Sequence, residues 1–351
     1  MLGVVALVAT FAVTSSLVAT SASAEVARGS IGAGLTGPTS LHATVLARRL
    51  QHVAALAEDD SGHVWAATAT GSTDAADGVY VIDDAGHARL VIDDVDAPTG
   101  LLWDGGDLYV ARHAGIERYD GYDGTTFAEH HPVLTLPDDV GLVSGLARLP
   151  DGRLVTGVSA PCDACTPSSP WSASVVTVGT DGADPHVLVR DVRAAVGFAV
   201  VPSSGVVLAT MNQRDDLGRA TPGDWLGAIT DGQSWGFPAC YGQSGTACAG
   251  VPHPVAVLGK HAAVTGVAVL TGPLATRTGS GAAEAAAVAE WMAGEVRVVP
   301  LTASAGRGAV TAAAFLGGFE HPAPVIVTHT GALLVGDWGT GRVVRVTAAR
   351  S

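Results

Sequence analysis

One short pattern recurs along the chain: a turn that ends in glycine, followed at once by an apolar strand. Clear copies lie at Asp60–Trp65, Gly105–Tyr109, Asp151–Val155, Ser204–Leu208 and Thr330–Leu334. Their glycines are 44, 46, 53 and 126 residues apart, and the last interval is wide enough for one further repeat. Six strand-rich repeats of this length predict an all-β chain folded as a six-bladed β-propeller.

The strand order within each repeat is consistent. An inner apolar strand such as Pro98–Trp103 comes first, and a turn leads to a second strand such as Leu108–Ala111. Glycine and Asp-Gly turns of the kind that hairpins require separate them. The segment Thr44–Arg48 has no repeat of its own, so we expect it to pair beside Arg342–Val346 and close the ring, which buries exposed sheet edges. The predicted propeller spans residues 41–348.

The remaining segments are assigned by composition. Residues 1–24 carry no charged side chain, Leu2–Val13 is apolar, and Ala22–Ala24 is a small-residue cleavage pattern. These features predict a signal peptide, with a retained membrane anchor as the alternative, and hence a secreted or extracytoplasmic protein. Residues 25–40, rich in Gly, Ser and Thr, predict a flexible lead-in. Residues 272–286 predict a loop inserted in the fifth repeat.

Net charge limits the choice of partner. The chain carries 33 acidic and 19 basic side chains, a formal net charge of −14, and has no basic run. Phosphate binding needs clustered Lys and Arg, so we expect no nucleic-acid partner. The apolar fraction of 48% comes mainly from Ala, Val and Leu, which predicts thin core layers.

The four cysteines are Cys162, Cys165, Cys240 and Cys248. An even number in an exported chain favours disulfides, and of the three possible pairings the local one, Cys162 with Cys165 and Cys240 with Cys248, is the simplest. A redox-active Cys-x-x-Cys normally opens a helix, which the proline-rich flank of the first pair does not suit. A zinc site needs closer spacing than the seven residues inside the second pair. We predict two structural disulfides.

Two neighbouring runs carry the most specific motifs. Residues 212–218 read Asn-Gln-Arg-Asp-Asp-Leu-Gly, and residues 236–242 read Gly-Phe-Pro-Ala-Cys-Tyr-Gly. Both resemble motifs of the glucose/sorbosone dehydrogenase family, with Gln213 in place of a glycine and Phe237 in place of a tryptophan. The resemblance implies a secreted six-bladed propeller that binds pyrroloquinoline quinone (PQQ) and calcium and oxidises sugars.

The resemblance also implies residues that bind the cofactor. PQQ is a tricarboxylate, so its site needs cationic side chains. Arg193 matches the arginine of a family run, His321 stands where a late arginine-containing run is expected, and Lys260 adds a cation beside a matching histidine. We therefore predict that Arg193, Lys260 and His321 bind the cofactor. The matching histidine, His261, is the candidate catalytic residue.

The family's calcium is held largely by main-chain carbonyls of the loop that matches Asn212–Arg214. Carbonyl ligands do not depend strictly on side-chain identity, so Gln213 and Arg214 are the predicted calcium ligands. The acids that follow, Asp215 and Asp216, have turn capping as their alternative role.

Several family residues are replaced. The catalytic histidine is expected shortly before the turn Pro150–Gly152, at positions that hold Gly141 and Leu142. His130 and His131 lie about ten residues upstream and would reach the site only after rearrangement of the loop. The other replaced positions are Ala194, Trp225, Gly227 and His321.

Two functions follow from these observations. One is an exported, PQQ- and calcium-dependent oxidoreductase that oxidises a sugar or polyol hydroxyl or an aldehyde. The alternative is a non-catalytic propeller of the same origin that binds a carbohydrate or a protein partner. Membrane contact is expected only if the N-terminal segment is retained as an anchor. Convergence of a histidine and at least two Arg or Lys side chains with Arg193 would favour the enzyme.

Overall fold

The computed structural model describes residues 26–70, 77–243, 245–302 and 309–349. These ranges form six sheets of four antiparallel strands, three of which gain extra strands at their edges. The signal peptide predicted for residues 1–24 lies outside the described residues. In the part of the chain that the structure describes, no helix has the length and apolar character needed to cross a membrane.

The N-terminal strands serve two blades. Strands β1 (Arg28–Gly32) and β2 (Leu35–Pro38) form a hairpin, and β2 pairs with the fifth blade at Gly317. This hairpin replaces the flexible lead-in predicted for residues 25–40. Its composition favours loops, but Ile31 and Leu35 are buried against the fifth blade and stabilise the extended conformation.

The ring is closed by β3 (Leu41–Ala47), which pairs antiparallel with the last strand of the chain. In the register of this pair, Val45 lies opposite Val344 and Thr44 opposite Arg345. The predicted closure is therefore confirmed.

The first three blades follow in chain order. Blade one contains β4 (Val53–Glu58), β5 (Val64–Thr68), β6 (Gly78–Ile82) and β7 (Ala88–Asp93). Blade two contains β8 (Gly100–Asp104), β9 (Asp107–Arg112), β10 (Gly115–Asp120) and β11 (Glu129–Thr135). Blade three contains β12 (Val143–Arg148), β13 (Leu154–Val158), β14 (Ser174–Val178) and β15 (His186–Arg190).

Blade four contains β16 (Ala194–Val200), β17 (Val207–Asn212), β18 (Gly223–Ile229) and, after β19 (Gln233–Ser234), β20 (Ala256–Lys260). Blade five contains β21 (Val264–Leu270), β22 (Ala285–Glu290), β23 (Glu295–Pro300) and, after β24 (Val310–Thr311), β25 (Ala313–Gly317). Blade six contains β26 (Pro322–Val327), β27 (Leu333–Asp337), β28 (Arg342–Ala348) and β3. The short strands β19 and β24 extend blades three and four.

Helical structure in the described ranges is confined to three short pieces. Two are 3-10 turns, Gly218–Ala220 and Thr246–Cys248, and the third is α1 (Gly272–Thr276). Helix α1 begins the segment between β21 and β22, where the sequence predicts an inserted loop.

The first strands of the blades surround the central axis. Each contacts the first strand of the next blade, in the order β4, β8, β12, β16, β21, β26 and back to β4. Glycines make this close approach possible: a Cβ on Gly145 would lie 2.2 Å from the Val196 carbonyl oxygen, and one on Gly197 would lie 2.5 Å from that of Thr265. The six-bladed propeller predicted from the repeats is therefore confirmed. Glycines on the first strands allow neighbouring blades to approach closely around the axis.

Both predicted disulfides are present. The Cα atoms of Cys162 and Cys165 are 5.8 Å apart, in the loop between β13 and β14. Those of Cys240 and Cys248 are 4.8 Å apart, between β19 and β20. Local pairing is therefore confirmed, and each bridge fixes one loop of a blade.

Candidate functional site

A cavity of about 590 Å³ occupies one end of the central axis and is lined by all six blades. We call this end the channel mouth. It is built from the loops that enter first strands and from the loops that follow second strands. The first kind contributes Ala97, Leu142, Arg193 and His261, and the second contributes Ala69, Ser159, Gln213, Trp291 and Trp338.

Four ionisable side chains line the mouth: Arg193, Asp215, Asp224 and His261. All four belong to blade four or to the loops that connect it to blades three and five. Arg193 is placed just before β16, where its carbonyl oxygen accepts a 2.7 Å hydrogen bond from the Ala160 N–H of blade three. Among the described lining residues, Arg193 is thus the one permanently charged cation.

The Arg193 guanidinium is already paired. It donates a hydrogen bond to the Asp163 carboxylate and lies 3.7 Å from the carboxylate of Asp215. A hydrogen bond from the Asp215 carboxyl, together with Arg193, lowers the pKa of Asp163. The pKa of Asp215 is raised because its carboxyl is bonded to that of Asp163 and is partly buried. Beside one arginine, the pKa of Asp163 is therefore lowered and that of Asp215 is raised.

Asp224 is a buried acid with no cation bonded to it. Its carboxylate accepts hydrogen bonds from the backbone N–H of Gln213 at 2.8 Å and of Val264 at 3.4 Å, which join blade four to blade five. The side chain is only 4% exposed, and burial raises its pKa to about 6. A carboxyl with this pKa in a cavity can accept a proton near neutral pH.

An aromatic wall also lines the mouth. It consists of Trp291, which follows β22, and Trp338, which follows β27, with ring centroids 5.6 Å apart. The Trp338 indole N–H donates to the Ala69 carbonyl at 3.0 Å, and the ring of His52 packs on it at 4.2 Å. Both tryptophans line the cavity, and their rings are inclined by 64° to each other, so the mouth combines two aromatic side chains with the charged groups.

The predicted cofactor residues are separated by the fold. Arg193 lines the mouth, but Lys260 is exposed at the end of β20 and does not line it. His321 packs behind the aromatic wall: its ring stacks on Trp291 at 3.7 Å, and its Nδ1 lies 3.1 Å from the Trp291 carbonyl oxygen. His261 is exposed and lines the mouth, close to Asp215. One histidine converges with Arg193, and no second Arg or Lys does so among the described residues.

The two residues predicted as calcium ligands also differ in position. Gln213 lines the cavity, and its backbone N–H donates to Asp224. The Arg214 side chain points instead to Asp216, with hydrogen bonds of 2.8 and 2.7 Å, and lies over the ring of Tyr241. Calcium binding by the carbonyls of this loop stays a prediction.

Gly141 and Leu142 occupy the positions where the sequence predicts the catalytic histidine. A Cβ on Gly141 would lie 2.1 Å from the carbonyl oxygen of Ser159, so no side chain fits there without a backbone shift. Leu142 is the residue that lines the mouth, and it is 39% exposed. His130 and His131 lie on β11, the outer strand of blade two, and do not line the cavity. An apolar side chain therefore lines the mouth at the position where the motif resemblance predicts a catalytic histidine.

Solved structures with the same fold include sugar dehydrogenases. The PQQ-bound aldose sugar dehydrogenase from Streptomyces coelicolor is 16% identical, with a TM-score of 0.68 over 88% of this chain and 99% of that one. The soluble aldose sugar dehydrogenase from Escherichia coli is 14% identical (TM-score 0.68, 88% and 100% covered). The PQQ domain of pyranose dehydrogenase from Coprinopsis cinerea is 13% identical (TM-score 0.70, 89% and 97% covered). The resemblance predicted from the motifs is thus confirmed at the level of the fold.

No protein-family model and no curated protein matches the chain. The solved structures therefore establish the architecture, and the chemistry must be argued from the mouth itself.

The mouth does not fit PQQ as it stands. A tricarboxylate would enter a lining with one guanidinium and two aspartates, and that guanidinium is already bonded to Asp163. Bringing further carboxylates to a site that is acidic overall is unfavourable unless extra cations are supplied. The side chains that would supply them, at Lys260 and His321, do not line the cavity.

Proposed function

We propose that the channel mouth binds an uncharged sugar or polyol. The observation that carries this proposal is that an aromatic wall and hydrogen-bonding groups line one cavity. A sugar ring has a flat apolar C–H face that packs on a tryptophan ring such as Trp291 or Trp338, and hydroxyls that suit Asn212, Gln213 and Asp224. A cavity of about 590 Å³ has the size of small-molecule sites.

The arrangement assigns roles to individual groups. The Asp224 carboxylate accepts a hydroxyl hydrogen bond, since its two oxygens retain acceptor capacity beyond the backbone N–H groups that they receive. The tryptophans orient the ring and exclude water from one of its faces. We further propose an extracytoplasmic location, which the two disulfides support.

The second candidate is oxidation of that sugar with PQQ and calcium, as the family resemblance implies. It is favoured by Arg193 and Gln213, which line the same cavity as His261. It is opposed by Leu142 at the position of the base and by the ion pairs of Arg193.

A thermal-shift panel of neutral sugars and polyols tests the proposal. A ligand that binds only the folded protein raises its melting temperature, and we expect such a shift without PQQ or calcium. Asp224→Asn should weaken the shift. The matched control, Asp231→Asn, changes an exposed acid of the same blade and should not. Dye reduction in the same panel with PQQ and calcium would favour the second candidate. No shift with any sugar would refute the proposal.

A further inference from the structure

Arg193 is covered by acids that come from two different blades. Asp163 belongs to the loop that follows β13 in blade three, and Asp215 belongs to the loop that follows β17 in blade four. Both reach the guanidinium through its Nη2 atom. The Arg193 side chain is only 21% exposed, and its buried Nε has no hydrogen-bond partner within the described ranges. The Nη2 atom of the arginine is therefore already engaged by carboxylates before any ligand arrives.

Asp163 is held in place by covalent structure. It lies inside the short loop closed by the disulfide of Cys162 and Cys165, whose backbone is tightened further by a 2.8 Å hydrogen bond from the Cys165 N–H to the Cys162 sulfur. A neighbouring loop residue anchors this segment to the next blade, because the Ala160 N–H donates to the Arg193 carbonyl. The contact between Asp163 and Arg193 thus joins two fixed segments, and a ligand would have to displace it.

The second arginine of this region shows the difference. Arg214 pairs with Asp216, two residues away in its own loop, lies over Tyr241 and does not line the cavity. Arg193 instead lines the cavity and pairs with an acid 30 residues distant. An ion pair at that position decides what charge the cavity accepts, because a carboxylated ligand must compete with two resident carboxylates.

We propose that Asp163 and Asp215 serve as built-in counter-ions of Arg193 and make the channel mouth select uncharged sugars over carboxylated ligands, PQQ included. The inference deepens the proposed function and rests on the mouth being its ligand site. It makes Asp163 and Asp215 specificity-determining residues.

Direct titration with PQQ in the presence of calcium, followed by tryptophan fluorescence, tests the inference. The wild-type protein should bind weakly, and the Asp163→Asn/Asp215→Asn variant should bind at least about tenfold more tightly, since it lacks the acids that compete with the PQQ carboxylates for the guanidinium. Adding Arg193→Ala to that variant should abolish the gain. The matched control is Asp181→Asn/Asp231→Asn, which removes two exposed acids from turns at the opposite end of the same two blades and should leave PQQ affinity unchanged.

The inference is overturned if the folded double variant binds PQQ no more tightly than the wild-type protein does. Circular dichroism verifies folding. Should the double variant not fold, Asp163→Asn alone, at a partly exposed loop position, carries the same test with a smaller expected gain. The sugar panel is scored on the wild-type protein without PQQ, so failure of the proposed function and failure of this inference give different results.

Discussion

Two buried aspartates at the mouth end of the propeller have opposite surroundings. Asp337, at the end of β27, is fully buried and accepts hydrogen bonds from the His321 N–H at 2.9 Å, the Thr340 hydroxyl at 2.6 Å and the Arg342 guanidinium at 3.1 Å. Asp224, on β18, accepts backbone N–H groups, has no bonded cation, and lines the cavity.

Their pKa values move in opposite directions. Burial raises both, but the hydrogen bonds and Arg342 outweigh burial at Asp337, whose pKa is lowered from 3.8. At Asp224 burial dominates and raises the pKa to about 6. A fully compensated charge is typical of structural support, whereas an uncompensated one facing a cavity is typical of a ligand site. We therefore assign Asp337 to the stability of blade six and Asp224 to ligand binding at the mouth.

The largest expected effect is at Asp337. Asp337→Asn leaves Arg342 without its counter-ion and should lower the free energy of unfolding by about 3–5 kcal/mol. Urea denaturation measures this loss. The double variant Asp337→Asn/Arg342→Met should recover part of the stability. A loss below about 1 kcal/mol would mean that Asp337 is not a structural ion pair of this kind.

The pH dependence should differ in sign between the two acids. The folded pKa of Asp224 is raised, so the folded state binds the proton more tightly, and stability falls by about 3 kcal/mol as pH rises from 3.8 to about 6. Asp337, with a lowered pKa, contributes stability that is lost as pH falls below 3.8. Asp224→Asn should remove the first trend and keep the second, measured as melting temperature against pH. An unchanged trend between pH 4 and 6 would contradict the account of Asp224.

A smaller effect is expected at the aromatic wall. Trp291→Ala removes apolar surface from the channel mouth and should weaken the binding of the sugar found in the panel about tenfold. Isothermal titration calorimetry measures the change. Trp291→Phe keeps an aromatic ring and should retain most of the affinity. Equal affinities for wild type and the alanine variant would place the sugar elsewhere.

The smallest effect is expected at a third buried acid, Glu290 at the end of β22. It accepts the Gly259 N–H at 3.0 Å, lies 3.9 Å from Arg297, and has a pKa raised by burial. Its surroundings are thus intermediate between those of Asp337 and Asp224. Glu290→Gln keeps the acceptor and should change stability by less than about 1 kcal/mol in urea denaturation. A loss of stability as large as that of Asp337→Asn would contradict the view that a bonded cation distinguishes the structural acid from the other buried acids.

The architecture could be predicted because it repeats. The regular spacing of the glycine turns predicted the blades, and the segment Thr44–Arg48, which has no repeat of its own, predicted the closure of the ring. The hairpin of residues 28–38 could not be predicted, since its partner in blade five is about 280 residues away and its composition is that of a loop. Local patterns carry no information about such a pairing.

The site was predicted only in part. Arg193 and His261 were found from family motifs and do line the mouth, whereas Lys260, which adjoins the matched histidine, and His321, which replaces the arginine of a family run, do not. Asp163 was missed, because its contact with Arg193 crosses from one blade to the next. The contact could have been predicted from the strand order. Asp163 lies in a loop that follows a second strand, Arg193 lies in the loop that enters the next first strand, and loops of these two kinds meet at the same end of a propeller.

The most direct test of the account is a calorimetric titration of the cofactor-free wild-type protein with neutral sugars and polyols, with Asp224→Asn as the site variant. The account predicts saturable binding of an uncharged ligand to the wild type and at least about tenfold weaker binding to the variant, because the lost carboxylate acceptor is charge-assisted. Absence of binding by every neutral ligand, or equal affinity in the two proteins, would contradict it.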